Sequence, residues 1–183
     1  MDRLRNIARS NLEIFGKNIS MQTISLEALI GPCDSTASDL FEKRREIIDL
    51  SDACLQAAIA PSDPGGIGHG LRWALALRMA RLHSIDELVD VLEASEPEQE
   101  VSDILGSIAV GREAAGADLR VRAIVAHADM LANEPRAATK QCIVKLVEAG
   151  VEQADIVRLS EFVGVLSYYM RVVAGVKLLT GRA

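Results

Sequence analysis

The chain has 183 residues, of which 49% are hydrophobic but only six are aromatic, and its net charge is −6. A chain of this size buries about 70% of its unfolded surface, enough for one core, and that core has to be built from aliphatic side chains, which favours helices. The acidic balance, with no basic stripe carrying interleaved aromatic residues, argues against nucleic acid as a partner.

The N-terminal part of the chain predicts one helix followed by a loop. Apolar residues recur at helical spacing behind a cap residue, Asp2, and predict an amphipathic helix over residues 2–14. These apolar positions are Leu4, Ile7, Ala8 and Leu12. Residues 16–38 combine a short apolar patch, SLEALI, with Gly-Pro and a Ser/Thr/Asp cluster, which predicts a loop with one or two helical turns. We expect residues 1–38 to be an appendage to a helical domain at 39–183.

Helical periodicity fills the rest of the chain, and no strand-like alternation interrupts it. Helices are predicted over residues 39–60, 71–83, 85–94, 99–109, the stretch from Gly111 to ANEP, 140–149 and 152–179. The first is expected to carry Leu40, Phe41, Arg44, Ile47, Ile48, Leu55 and Ala58 on one face. The helix after Gly111 is expected to present Leu119, Ile124, Val125, Ala128 and Leu131 on one stripe. The helix at 71–83 is almost wholly apolar and expected at the centre of an all-α bundle, and the last is expected to be buried on several sides.

Two patterns predict where individual helices begin and end. Ser84 and Glu87 have the spacing of a capping box, which predicts a helix start at Ile85. Thr139 is expected to cap KQCIVKLVEA, and Gly150 then lies where a left-handed helix terminus would fall.

No signal in the sequence directs the chain out of the cytoplasm. The longest apolar stretch near the C-terminus, residues 162–170, is far shorter than the roughly 20 apolar residues that a spanning helix needs. The N-terminus lacks the apolar run and cleavage site of a secretory signal. The three cysteines, Cys33, Cys54 and Cys142, contain no CxxC pair and favour a reducing compartment. We therefore expect a cytoplasmic protein without a membrane segment.

Three stretches together resemble a known family. They are ADIVRLSEFVGVLSYYMRVVAGVKLL, the preceding AHADMLANEPRAATKQCIVKLVEAGV and the upstream APSDPGGIGHGLRWALALRMARLH. Their pattern of an xxPxxxT turn, a short helix, a Gly and a long helix with Tyr/Phe-x-x-Arg-Val resembles alkylhydroperoxidase D-like (AhpD-like) and carboxymuconolactone decarboxylase-like proteins, especially the peroxidase-related branch linked to antioxidant defence. The resemblance covers about residues 40–180. It implies an all-α AhpD-like helical bundle that assembles with itself into trimers or hexamers, with a reactive pocket at a helix junction.

The chain departs from that family where its redox members carry E...CxxCxxxH. Aligning ALRMARLHSIDEL on this pattern places Trp73 at the glutamate, Ile85 and Leu88 at the two cysteines, and Leu92 at the histidine. A CxxC redox cycle needs two sulfurs about one helical turn apart, and no two cysteines of this chain are so spaced. The resemblance therefore carries the fold without the thiol-disulfide peroxidase chemistry.

Two residues at the predicted junction suggest acid–base chemistry. His83 and Glu87 lie four residues apart, the spacing of a pair that can pass protons between them. The competing interpretation assigns Glu87 to the capping box and His83 to the end of the preceding helix.

Three residues around the start of the central helix suggest a carboxylate-binding site. Arg72 offers a planar fork for a carboxylate, Trp73 is a candidate pocket wall, and His69 in the Gly-rich loop is a candidate lining residue. The competing interpretations are salt bridges from Arg72 to Glu161 or Asp155 or contacts of Arg72 across a subunit interface, a core indole for Trp73, and a solvated loop histidine for His69.

The remaining candidate is a thiol. Cys142 lies early in a helix behind Thr139, an environment that favours a thiolate, although its aliphatic neighbours also suit simple packing. Cys54 is expected in the core. No three His, Asp or Glu residues have ligand spacing, so neither a metal nor a cofactor is predicted.

These patterns leave three functional hypotheses. The first is an AhpD-like protein that has lost redox catalysis and acts as a non-redox binding or partner subunit of a homo-oligomer, with a dimer as the alternative to a trimer or hexamer. The second is an enzyme that acts on a small carboxylate or lactone, held by Arg72 while His83 and Glu87 move protons. The third is a single-cysteine peroxidase that uses Cys142 or Cys54.

Overall fold

Residues 24–31, 35–95 and 102–181 are described in the computed structural model of the chain. They form nine α-helices, and no strand occurs among them, which confirms the all-α prediction. The helices are α1 (Leu26–Ile30), α2 (Ser35–Lys43), α3 (Arg45–Ile59), α4 (His69–Leu82), α5 (Asp86–Ala94), α6 (Asp103–Ala109), α7 (Leu119–Asn133), α8 (Lys140–Glu148) and α9 (Gln153–Leu179), and a 3₁₀ turn, Pro135–Ala137, precedes α8.

Helix α4 lies at the centre of the fold, as predicted. Its sequence is rich in Ala and Leu, which are strong helix formers, and ten of its 14 residues are buried. Helices α5 and α6 pack against it, while α3, α7 and α9 also contact it. On its outer side Arg78 makes a bidentate ion pair with Asp129 of α7, with both N–O distances at 2.7 Å.

Helix α9 is the second organising element. It packs along α3 and α7 and also contacts α1, α4 and α8. Every apolar position predicted to face inward on it is buried, namely Ile156, Leu159, Phe162, Val163, Leu166, Met170, Val173 and Val176. By length and composition alone α9 is also apolar enough to cross a membrane, but eleven of its 27 residues are buried against the rest of the protein. The absence of a membrane segment stays a prediction.

The single helix predicted over residues 39–60 is wrong, because the structure contains two helices there. Helix α2 begins at Ser35 and ends at Lys43, and Arg44 leaves the helical conformation at φ −119° before α3 begins. Because of this break, the apolar faces of α2 and α3 do not form one continuous stripe. Phe41 is buried as expected, whereas Leu40 and Ile47 are 38% and 51% exposed.

The helical turn expected inside SLEALI is present as α1, and it is part of the core. Ile24, Leu26 and Leu29 are each at most 2% exposed. The Ser25 hydroxyl accepts a hydrogen bond from the amide of Ala28 and so caps the helix. The predicted helix at residues 2–14 and the cysteine at position 33 lie outside the described residues. The domain boundary expected at residue 38 stays a prediction.

Helices α6 and α7 begin later than predicted because polar side chains cap them. The Ser102 hydroxyl accepts from the amide of Leu105 at the start of α6, and the Asp118 carboxylate accepts from the amide of Val121 at 2.7 Å. The start at Leu119 leaves that residue 59% exposed, so it does not join the predicted apolar stripe of α7. Residues 99–101, which the sequence assigns to the helix at 99–109, lie outside the described residues.

Three helices end in the same way, with one residue in the left-handed conformation. These residues are Ser84 after α4, Gly111 after α6 and Gly150 after α8, with φ of 55°, 81° and 82°. In each case the following amide donates a 3.0 Å hydrogen bond to a carbonyl five residues back, as in a Schellman motif. The predicted terminus at Gly150 is confirmed.

The same geometry shows that the capping box predicted at Ser84 is wrong. Ser84 completes the end of α4, and α5 begins at Asp86 behind Ile85 with no side-chain cap. A serine with positive φ carries a steric cost that glycine does not, because its Cβ approaches the following carbonyl. The turn is therefore strained at a residue whose side chain does not cap α5.

The loop that delivers the chain into α4 is held by a buried carboxylate. Asp155, near the start of α9, accepts hydrogen bonds from the amide of Gly66 at 2.9 Å, from Arg120 at 3.0 Å and from Arg158 at 3.1 Å. Its side chain is only 4% exposed. Because a buried carboxylate is tolerated only when it is paired, these three donors fix the loop, α7 and α9 relative to one another.

We predict that Ser84→Gly stabilises the fold by about 0.5–1 kcal/mol, because it relieves the left-handed strain by more than it loosens the unfolded chain. The reciprocal change at a matched site, Gly150→Ser, is expected to destabilise the fold by a similar amount. Thermal unfolding measures both effects, and a lower melting temperature for Ser84→Gly would contradict the assignment of this turn.

We predict that Gly66→Ala destabilises the fold by about 3 kcal/mol, because the added Cβ overlaps the Asp155 carboxylate and the Arg120 guanidinium. Gly106→Ala is the matched control. A Cβ at this helical position meets open space, so the change is expected to stabilise the protein by about 0.5–1 kcal/mol. Chemical denaturation measures the two free energies, and equal effects of the two substitutions would refute the role given to Asp155.

Candidate functional site

Arg72, the candidate carboxylate fork, is committed to the protein's own backbone. Its side chain donates to the carbonyl oxygens of Ile67 and Ala58 at 2.8 Å and of Pro64 at 3.4 Å. Its guanidinium carbon also lies 5.5 Å from the centre of the Phe162 ring. Burial, with the neighbouring Arg158 charge, lowers the pKa of Arg72. The predicted salt bridges to Glu161 or Asp155 are absent from the described ion pairs, and carbonyl groups take their place.

His69 and Trp73 also make structural contacts. The Nε2 atom of His69 lies 2.9 Å from the carbonyl oxygen of Pro61, so His69 helps to hold the same loop as Arg72. The Trp73 indole N–H donates to the carbonyl oxygen of Leu92 at 2.7 Å, and Trp73 is only 5% exposed. Trp73 therefore joins α4 to the end of α5 inside the core and lines no opening to solvent.

The two candidate acid–base residues are not paired with each other. Glu87 forms an ion pair with Lys177 of α9. His83 lies exposed at the end of α4, where partial burial and the nearby Arg171 charge lower the pKa of His83. The structure places both residues at the predicted junction, but it brings neither of them to Arg72 in a common hydrogen-bond network.

The junction itself is packed with hydrocarbon. Ile85 is 4% exposed, and Leu88 and Leu92 are fully buried beneath Trp73. All four positions aligned with the redox residues of the family are therefore interior packing positions. The enzyme hypothesis requires His83, Glu87 and Arg72 to converge on one cavity, and no described hydrogen bond or ion pair joins any two of these residues.

Cys142 has the more reactive environment of the two described thiols. Its Sγ lies 3.5 Å from the Thr139 hydroxyl, and this hydrogen bond, with backbone contacts at the start of α8, lowers the pKa of Cys142. The same bond explains why the Thr139 side chain does not cap α8, contrary to prediction. Cys54 is exposed on α3, so its predicted place in the core is wrong. Both thiols are free.

An apolar groove lies between α3 and α9, at a place where the sequence predicts no pocket. Its volume is about 340 Å³. It is lined by Ile47, Leu50, Ser51 and Cys54 of α3 and by Gly164, Val165 and Tyr168 of α9. The hydroxyls of Ser51 and Tyr168 lie 3.2 Å apart and link the two walls. Apolar residues occupy more of the circumference of α3 than one neighbouring helix can cover, and this is the feature of the sequence that indicates the groove.

Among the described residues no three His, Cys, Asp or Glu side chains are grouped as metal ligands. Comparison of the chain with models of known protein families, with curated proteins and with solved structures finds no match. Functional inference therefore depends on the site geometry and on the resemblance noted in the sequence.

We predict that Thr139→Val slows alkylation of Cys142 by iodoacetamide about threefold at pH 7, because losing the hydroxyl donor destabilises the thiolate. The rate is measured by mass spectrometry in a protein whose other two cysteines are serines. Thr139→Ser keeps the hydroxyl and is expected to match the parent. The parent and Thr139→Val rates should converge at high pH, where both thiols are ionised, and an unchanged rate at pH 7 would remove Thr139 from the account.

Proposed function

We propose that this protein is a non-redox helical binding or partner subunit that keeps an AhpD-like bundle and has lost thiol-disulfide peroxidase chemistry. The observation that carries the proposal is the closed junction. The junction is filled by the side chains of Trp73, Ile85, Leu88 and Leu92. The indole N–H of Trp73 donates its hydrogen bond to the backbone carbonyl of Leu92. A closed apolar junction offers no site at which a peroxide could meet a thiolate and a proton donor.

The positions of the thiols support the same conclusion. Cys54 lies midway along α3 and Cys142 in the first turn of α8, and neither is bonded to another cysteine. A lone thiol that has formed a sulfenic acid needs a second thiol to return it to the reduced state. The Thr139 hydroxyl lowers the pKa of Cys142, but the described residues supply this thiol with no resolving partner.

The contacts of Arg72 argue against an enzyme that acts on a small carboxylate or lactone. Its anion-binding residue, Arg72, already donates to three carbonyl oxygens inside the protein. One of these, on Ala58, belongs to the last turn of α3, where carbonyl groups have no helical partner. Releasing Arg72 to a ligand would leave those groups unpaired, at a cost of about 1–3 kcal/mol each.

Surface apolar residues support self-association and a homo-oligomer. Outside the groove between α3 and α9, large hydrophobic side chains that are at least 40% exposed occur on several helices, namely Leu82, Leu119, Ile143, Val147, Val157, Leu178 and Leu179, and Val110 follows α6. Exposed apolar surface of this kind is commonly covered by another subunit. A trimer or hexamer in the cytoplasm is the assembly that the family resemblance favours.

We predict that the purified protein consumes hydrogen peroxide no faster than its Cys54→Ser/Cys142→Ser variant, because the closed junction places neither described thiol beside an acid–base pair that could activate a peroxide. Peroxide loss is followed with a thiol reductant present in excess. A wild-type rate well above background, abolished by Cys142→Ser alone, would overturn the proposal in favour of a single-cysteine peroxidase.

We predict that light scattering coupled to size exclusion gives a molar mass that is a multiple of the 19.7 kDa chain. The mass is measured at several protein concentrations to separate a stable assembly from a weak one. A monomer at every concentration would contradict the partner-subunit proposal.

A further inference from the structure

The groove between α3 and α9 exposes apolar surface that no other described residue covers. Three of its lining residues, Ile47, Leu50 and Tyr168, are 51%, 60% and 47% exposed. Leaving side chains of this size in water forfeits about 25 cal/mol for each Å² that could be buried. The groove is therefore suited to an apolar occupant.

We propose that the occupant is the chain's own N-terminal segment, residues 2–15, which lies as an amphipathic helix between α3 and α9. The apolar residues Leu4, Ile7, Ala8 and Leu12 repeat at helical spacing on one side of this segment, and arginines and Asn6 fall on the other. An amphipathic helix with its apolar face in a groove between two helices is a recurrent mode of recognition.

The point at which the chain joins the described structure supports this occupant. The amide of Leu26 donates to Asp52 Oδ1 at 3.0 Å, and the Tyr169 hydroxyl donates to the same oxygen at 2.7 Å. These bonds attach the start of α1 to α3 and, through Asp52, to α9, the two helices that form the groove. Residues 16–23 reach about 26 Å when extended, which exceeds two helix diameters, so the segment can reach the groove of its own chain.

The length of the segment also suits the groove. A helix of residues 2–15 is about 21 Å long, close to the length of about 22 Å for the 15-residue α3. Gly164 lines the groove on the α9 side, and a Cβ at this position would meet no atom within 4 Å. A side chain as large as Leu4 or Ile7 can therefore approach the α9 backbone closely.

The charge of the segment also supports this occupant. Residues 1–23 carry four basic and two acidic side chains, so the segment contributes +2 to a net charge of −6 and the remainder of the chain carries −8. Beside the groove Asp49 and Glu161 are exposed and form no ion pair with another described residue. The nearby cations Lys43 and Arg45 are paired with Asp39 and Glu27, whereas Arg44 and Arg171 are exposed and, like Asp49 and Glu161, form no ion pair with another described residue. The segment and the remainder of the chain carry net charges of opposite sign, which favours their association.

Cys54 reports directly on the occupancy of the groove, because it is one of the lining residues. Alkylation of Cys54 by iodoacetamide is measured in the full chain with the other two cysteines replaced by serine. We expect Ile7→Asp to accelerate the reaction about tenfold, because a carboxylate on the apolar face releases the segment. Asn6→Asp adds the same group to the opposite face and is expected to keep the parent rate.

Trypsin cleavage after Arg5 and Arg9 reports on the segment itself. Gly164→Leu adds a side chain to the groove at a position where a Cβ meets no atom within 4 Å, and it is expected to speed this cleavage about tenfold. Gly175→Leu is the control, because a Cβ there also meets open space on α9 but the position lies outside the groove lining.

Two outcomes would overturn the proposal. Equal alkylation of Cys54 in the parent and the Ile7→Asp variant would show that the segment does not cover the groove. Protection of Cys54 that grows with protein concentration would identify a second copy as the occupant. Both measurements are independent of peroxide consumption, so failure of this inference and failure of the non-redox proposal are distinguishable.

Discussion

The structure depends on burying a whole helix that contains an arginine. Helix α4 can lie at the centre of the bundle only because Arg72 finds carbonyl partners at the end of α3 and in the loop that follows it. An unpaired guanidinium at that depth would cost several kcal/mol. Asp155 performs the matching task from α9, since it holds the amide of Gly66 and so fixes the opposite side of the same loop. The many prolines and glycines of this loop allow the chain to meet both groups.

Most of the architecture could be predicted from residue spacing, while the partners of its polar residues could not. The apolar positions of α9 were all placed correctly, because a long helix with one dominant core repeats its pattern many times. Ser84 was misassigned because a serine three residues before a glutamate fits a capping box, and only φ reveals that it ends the preceding helix. Cys54 and Ile47 were placed inside because periodicity gives a face but not the number of helices that cover it. Arg72 was correctly expected to need a partner, yet spacing alone could not choose between a carboxylate and a carbonyl.

The junction and the groove differ in how they are filled. At the junction of α4 and α5, where a redox site would lie in the family that the sequence resembles, every aligned position is filled by an apolar or indole side chain. Between α3 and α9 the surface has an open apolar groove, and α1 is bonded to Asp52 of α3, which also accepts from Tyr169 of α9. This distribution favours binding over catalysis.

The fluorescence of Trp73 tests the central claim most directly, because Trp73 is the only tryptophan in the chain and forms part of the closed junction. The account predicts a blue-shifted emission maximum and acrylamide quenching far weaker than in the unfolded protein. Red-shifted emission with quenching close to that of the unfolded chain would show that the junction is open to solvent, and the claim that it is packed shut would be wrong.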